Sequence, residues 1–274
     1  MKQGLLMIII GMILISFVLS LVIFAPWIAK YDPTEMDSSS RLIPHDENHL
    51  MGTDNFGRDI FSRLLYGGRI TLPISFVTLL LTAIVGICLG IIAGFNYGKL
   101  IDIILMRIVD AIMAVPFIAM AMAISALFGR KLENLLIVVI IIWWAPFARL
   151  ARSLVISQKN NQAVIAARVL GANNFTIVIR EILPNIIFPL IINLTLEFSS
   201  LILSLSTLSF FGLGSQPPTP EWGGMLADGR KYFLNSKHVL LWPSLFIIVT
   251  VLGLNLIGEG LRDYYDPYEI LPLK

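Results

Sequence analysis

The chain has 274 residues, 57% of them hydrophobic and only 14% charged, with a mean hydropathy of +0.82. A soluble domain carries about 25% charged residues, so this chain has more apolar surface than one core can hide, and a bilayer is the solvent that fits. Twenty basic against eighteen acidic residues leave a net charge of +2, which gives no basis for a nucleic-acid partner; three His and one Cys exclude a disulfide framework and a Cys-based metal site.

A spanning helix needs about 20 mostly apolar residues. Six segments qualify: Leu5–Ile28, Ile70–Phe95, Ile103–Phe128, Leu135–Ser157, Ile182–Ser204 and Val239–Leu261. The first follows Lys2 but is too long for the apolar region of a secretory signal, about 7–15 residues, so it is read as a retained membrane helix. Pro116 and Pro146 are expected to kink their spans, because proline removes a helix donor. Cys88, in an apolar run, is expected to be an inert packing residue. The same packing role is assigned to Met106, Met113, Met120 and Met122 in preference to soft metal ligation. There is no internal repeat and no low-complexity linker, so the expectation is one all-α membrane domain with six transmembrane helices. It divides into an N-terminal helix and loop (1–69) and a five-helix core (70–274).

The connections differ in character. The stretch Gly52–Asp59 is polar and turn-rich. Arg58 is flanked by Asp54 and Asp59, so local ion pairing is expected; the segment reads mainly as a cap on the second span, with a partner-contacting surface or an outer gate as the alternative. Asp54 alone is weak evidence for a cation site. In the third span Arg107 and Asp110 stand at i, i+3 and are expected to pair. In the fifth, Glu197 is a candidate for the translocation path. An unpaired charge at that depth costs about 2.5 kcal/mol or more, so Glu197 is expected to face a polar path or to hydrogen-bond a neighbour. The stretch 207–238 is rich in Gly, Pro and Trp. Gly212, Gly214, Gly223 and Gly224 surround Pro217, Pro218, Pro220 and Trp222, which suggests a rigid loop with Trp222 as an interface anchor. It lacks the Lys-Ser/Thr of a phosphate loop.

Arg149–Pro184 is the most informative stretch. Arg149, Arg152, Lys159, Arg168 and Arg180 stand against one acid, Glu181. Val164, Ile165, Val169 and Leu170 recur at helical spacing. Gly171 suits a helix end that needs a left-handed residue. Asn173 and Asn174 suit a turn and a new N-cap. A short helix, a glycine break and a second short helix make an elbow at about 158–181. Such an elbow can dock into a soluble partner or rest on the anionic inner leaflet; periodicity leaves both open.

Ala166-Ala167, Gly171 and Leu183-Pro184 resemble the "EAA" motif of bacterial ABC importer permeases, with Ile165 in the place of the motif's glutamate. HLMGTDNFGRDIFSRLLYGGRI (His49–Ile70), LSFFGLGSQPPTPEWGGML (Leu208–Leu226) and NLIGEGLRDYYDP (Asn255–Pro267) resemble three long signatures of the C-type subunit of the dipeptide/oligopeptide/nickel permease family, in the same order. The resemblance implies a type I ABC importer permease fold in the bacterial cytoplasmic membrane. It implies ATPase coupling through Ala166, Ala167 and Gly171, with no enzymatic activity in the chain and no cofactor bound by it. ATP and Mg would be used by two partner ATPase subunits. A second, B-type permease, an extracytoplasmic substrate-binding protein and membrane lipids complete the expected partners.

Lys and Arg divide equally between the two sides, ten and ten. Residues in long loops count for less, which tilts toward cytoplasmic termini, and the resemblance implies the same. For substrate, Ile165, Leu205 where peptide-type members carry an acid, and the run Ala148–Ser157 resemble nickel-type members. The expectation is nickel or a metal chelate, with dipeptides or oligopeptides as the alternative. A secondary transporter would show midplane ion sites and repeats. A membrane enzyme would show convergent catalytic groups; His45, His49 and His238 all fall outside the spans.

Overall fold

The computed structural model describes residues 2–129 and 132–265. Arg130, Lys131 and residues 266–274, which include the last two positions of the Asn255–Pro267 signature, lie outside the described residues. Among the described residues every named element is a helix. In chain order they are α1 (Lys2–Ile23), α2 (Ala25–Ile28), α3 (Ile60–Phe95), α4 (Leu100–Met113), α5 (Phe117–Phe128), α6 (Leu132–Gln158), α7 (Gln162–Val169), α8 (Asn174–Ile177), α9 (Leu183–Phe210), α10 (Trp222–Gly229) and α11 (His238–Tyr265).

Among the described residues five helices are long and apolar enough to cross a membrane, and α4 with α5 makes a sixth if the pair counts as one span. The expected single span Ile103–Phe128 is therefore corrected. It is two helices bent by 90° at Ala114–Pro116. Pro116 has no N–H and pushes the residue before it out of the α region. Pro73, Pro146, Pro189 and Pro243 instead lie inside α3, α6, α9 and α11. α3 also begins at Ile60, well before the expected Ile70. Asp59 starts it by accepting the Ser62 N–H at 2.7 Å, an N-cap bond.

The chain forms two compact units. The first comprises residues 1–77, 122–136 and 195–274. Its apolar core joins Val18 and Val22 of α1, Leu64 and Leu72 of α3, Ile202 of α9, Trp222 and Met225 of α10 and Phe246 and Ile247 of α11. α1 lies along α11 at backbone contact. A Cβ on Gly11 would stand 2.6 Å from the Gly253 carbonyl, and one on Gly4 would stand 2.9 Å from that of Gly260. Small residues at these crossings let membrane helices approach closely.

The second unit comprises residues 78–121 and 137–194. Here Gly86, Gly90 and Gly94 of α3 face Trp144, Ala148, Ala151 and Val155 of α6. A further apolar cluster joins Val109 of α4 to Ala145 and Ala148 of α6, with Met106 packed against it. Cys88, expected as an inert packing residue, is exposed on an open groove with Ile91, Ile92, Phe95 and Phe175.

Candidate functional site

The elbow forms much as its sequence dictates. Asn161 caps α7 by accepting the Ala163 N–H. The helix ends at Leu170, and Gly171 turns the chain at φ +81°, donating its N–H to the Arg168 carbonyl at 3.1 Å. Asn173 then caps α8 by accepting the Thr176 N–H at 2.8 Å. A π-turn, Val178–Ile182, carries α8 into α9. One face of the elbow is pinned. Val164, Ile177 and Ile182 are buried with Ala151 and Val155 of α6, and Ile87, Ile91 and Phe95 of α3 pack against them.

The opposite face is apolar and open. Val169, Leu170 and Phe175 are 82%, 86% and 76% exposed. Of the four apolar residues read at helical spacing, only Val164 points into the core; Ile165, Val169 and Leu170 point out. Ala166 and Gly171 are exposed, whereas Ala167 packs against the buried cluster. Phe175 escaped the sequence reading because it lies beyond the glycine break, outside the α7 period.

The basic residues around the elbow have specific partners. Asp110 pairs with Arg149 of α6, which replaces the expected partner Arg107; Arg107 is exposed. At i, i+3 on α4 the two residues are neighbours, but Asp110 meets a closer cation from α6. Arg152 donates from Nε and Nη2 to Asp102 at 2.5 and 2.9 Å. Lys159 Nζ donates to the Phe95 carbonyl at 2.9 Å. Sequence reading missed Asp102, because nothing local marks a partner fifty positions away.

In the first unit the segment before α3 is an ionic cap. Arg58, fully buried, reaches Asp54 at 2.6 Å and Asp228 at 3.2 Å. Arg63 reaches Asp54 at 3.4 Å and donates to the Pro33 carbonyl at 2.9 Å. The expected Asp54–Arg58 pairing is present. Asp59 turns instead to His49, at 3.0 Å. Asp54 is saturated by arginines, and among the described residues no group of three His, Cys, Asp or Glu is placed to hold a metal. On the adjoining loop Asp37 accepts from the hydroxyls of Ser39 and Ser40, which hold its carboxyl down at about 2.

Trp222 is not an interface anchor. It is fully buried, with its indole N–H donating to the Leu64 carbonyl at 2.9 Å. Glu221 caps α10, accepting the N–H groups of Gly223 and Gly224 at 2.9 and 3.0 Å. Burial pushes its carboxyl above the usual range. Glu197 is partly buried on α9, and it is not without a partner.

Helices long and apolar enough to cross a membrane, and an elbow with one pinned and one open apolar face, are the features of a membrane-spanning subunit with a surface for a partner. The family of binding-protein-dependent transport system inner membrane components matches residues 86–268, and the N-terminal transmembrane domain of oligopeptide transport permease C matches residues 7–44. The dipeptide transport system permease protein DppC of Alkalihalophilus pseudofirmus is 42% identical over 259 residues, 94% of this chain and 85% of that protein. The di/tripeptide transport system permease protein DppC of Pseudomonas aeruginosa is 40% identical over 263 residues, 94% and 86% of the two chains. In fold, the chain resembles the MetNI methionine ABC transporter in an inward-facing crystal form, with a TM-score of 0.54 at 20% identity over 72% of this chain and 94% of that one.

The chain belongs to the binding-protein-dependent transport system inner membrane component family. It is a C-type permease subunit of a bacterial ABC importer, a multi-span protein of the inner membrane with the type I importer fold. Such a subunit works with ATPase and substrate-binding partners. The relatives named above are dipeptide and di/tripeptide permeases, which favours the peptide alternative over the expected nickel or metal chelate.

Proposed function

We propose that this subunit, with a second B-type permease, forms the translocation path for dipeptides or short oligopeptides. The permease names carried by relatives at 36–42% identity support this substrate class. ATP and Mg are used by ATPase subunits that dock on the elbow at Ala166, Gly171 and the apolar side chains Val169, Leu170 and Phe175. Both termini lie on the cytoplasmic side with the elbow, and lipids cover the outward apolar faces of the spans. Glu197 of α9 lines the path and meets the ammonium group of a peptide.

The observation that carries the docking role is the pairing of a pinned face with an open apolar one on the same elbow. Exposed large apolar side chains grouped on a rigid support mark an interaction site. Uptake of labelled dipeptide and of nickel by a deletion strain, supplied with this importer and its binding protein, tests the substrate. Dipeptide accumulation is expected; accumulation of nickel alone would overturn the reading. Glu197→Gln should change uptake kinetics for a cationic peptide more than it changes assembly.

A further inference from the structure

We propose that Asp102 and Arg152 are a positioning pair that clamps the α3–α4 turn and α4 to the end of α6, so that α4 moves in register with the elbow. The inference rests on the elbow being the ATPase dock.

By composition, Arg149, Arg152 and Lys159 belong to the basic excess around the elbow, which a soluble partner or an anionic leaflet could equally take up. In the structure each meets a partner among residues 95–110, Arg149 while its side chain stays 48% exposed. Their spacing of three and seven residues places them on one face of a helix. Arg149 takes Asp110, Arg152 takes Asp102, and Lys159 takes the Phe95 carbonyl at the last residue of α3. The Arg152 guanidinium also lies 5.2 Å from the centre of the Tyr97 ring. One face of the final turns of α6 is thus occupied by residues 95–110.

The central pair is built for register. The Asp102 side chain is 3% exposed and accepts three hydrogen bonds: two from Arg152, and one from the Gly98 N–H at 3.0 Å. A planar guanidinium held to a carboxylate through two donors fixes position and angle together, which a lysine cannot do. The apolar contact between α4 and α6 is Val109 against Ala145 and Ala148, with Met106, Ile112 and Trp144 packed around it; such contacts are non-directional and fix angle less tightly than a two-donor ion pair. The polar clamp therefore sets where α4 sits, while the apolar contact holds it close.

The mechanical consequence follows from the buried cluster behind the elbow. Val164, Ile177 and Ile182 share one core with Ala151 and Val155 of α6, with Ile87, Ile91 and Phe95 of α3 packed against it. A push on the elbow is carried directly to both helix ends. α4 contributes nothing to that core; it is joined to α6 by the Val109 contact, the clamp and the Asp110–Arg149 pair. α4 then runs to the 90° bend at Ala114–Pro116, so the clamp delivers displacement of the elbow to the bend.

The test uses the complete importer reconstituted in liposomes with its ATPase and binding-protein partners. Asp102→Asn, Arg152→Gln, the double variant, Arg152→Lys and Leu170→Asp are compared for ATPase retention, ATP hydrolysis and peptide uptake. Asp102→Asn and Arg152→Gln should each retain the ATPases and hydrolyse ATP, with uptake per ATP reduced about tenfold, a scale usual for coupled neighbours. The double variant should fall no further than either single one, and Arg152→Lys should recover the ratio in part. An unchanged ratio in Asp102→Asn, or effects that multiply in the double variant, would overturn the clamp. If Arg152→Gln fails to assemble, Asp102→Asn, which keeps the size and one acceptor oxygen, decides alone. Leu170→Asp separates the two readings. Its loss of ATPase binding beside a normal ratio in Asp102→Asn sinks only the clamp, whereas full ATPase retention sinks the docking role beneath it.

Discussion

The indole N–H of Trp222 donates to the backbone carbonyl of Leu64, and thereby ties the start of α10 to the first turns of α3 at 2.9 Å. The ring lies among Val22, Leu72, Met225 and Phe246, and a Cβ on Gly68 would stand 2.9 Å from it. Trp222→Ala should cost about 3–5 kcal/mol, the usual range for losing a buried large aromatic. Trp222→Phe should cost less, since it keeps most of the contact area and loses only the donor. Thermal unfolding in detergent checks this order. Equal losses in both variants would mean the hydrogen bond, not the volume, holds the start of α10.

The α3–α6 contact in the second unit makes a sharper demand. A Cβ on Gly90 would stand 2.7 Å from the Ala151 Cβ and closer still to the Ala148 carbonyl. Backbone cannot yield as a flexible side chain does, so the helices must part. Gly90→Leu should therefore abolish stable assembly with the partner subunits, while Gly98→Ala, with open space around it, should be tolerated apart from its backbone strain. Size-exclusion profiles of the purified complex report both outcomes. A monodisperse Gly90→Leu complex would contradict the close approach.

The parts legible in the sequence were those written locally. Apolar run length gave the long helices, though not the bend at Ala114–Pro116. Gly171 and Asn173 gave the break in the elbow, because a left-handed turn and an N-cap need particular residues at particular places. The Arg58–Asp54 pair was legible for the same reason. What was hidden depends on distant partners. Asp110 meets Arg149 rather than Arg107, and Asp102 meets Arg152, only because α4 lies on α6. Trp222 follows a stretch whose Gly and Pro content suggested surface, but it begins α10 and its burial is set by α1, α3 and α11. The first turns of α3 were missed because Arg63, Tyr66 and Arg69 break the apolar run without breaking the helix.

Two carboxylates outside the spans should respond to pH in opposite senses. Asp37 is held at about 2 by Ser39 and Ser40, below its unfolded value. Its contribution is present above the ordinary carboxylate range and is lost as pH falls toward about 2. Glu221 is raised by burial, so the folded state keeps that proton to a higher pH than the unfolded chain does. Stability should therefore fall as pH rises from the ordinary carboxylate range through the raised value. Glu221→Gln should remove that slope, at a baseline cost of about 1 kcal/mol for one weakened cap bond. Unfolding midpoints measured across that window decide it. An identical slope in the Gln variant would assign the pH dependence elsewhere.

Gly171 tests whether the elbow's outer face matters for docking or only for folding. Its φ of +81° is left-handed, and no atom lies within 4 Å of where a Cβ would stand. Substitution there costs backbone strain, roughly 1–2 kcal/mol for an ordinary L-residue, without any clash inside the chain. Gly171→Asn should lose least, since Asn tolerates that conformation. Gly171→Arg adds a long cation beside Leu170 on the exposed face, so it should leave membrane insertion intact while separating ATP hydrolysis from uptake. Gly171→Ala carries the strain without the bulk. If Ala and Arg impair uptake equally, strain in the turn is the cause. If Arg is much worse at equal protein level, the face itself is read by a partner. Normal uptake by the Arg variant would remove this elbow as the coupling surface.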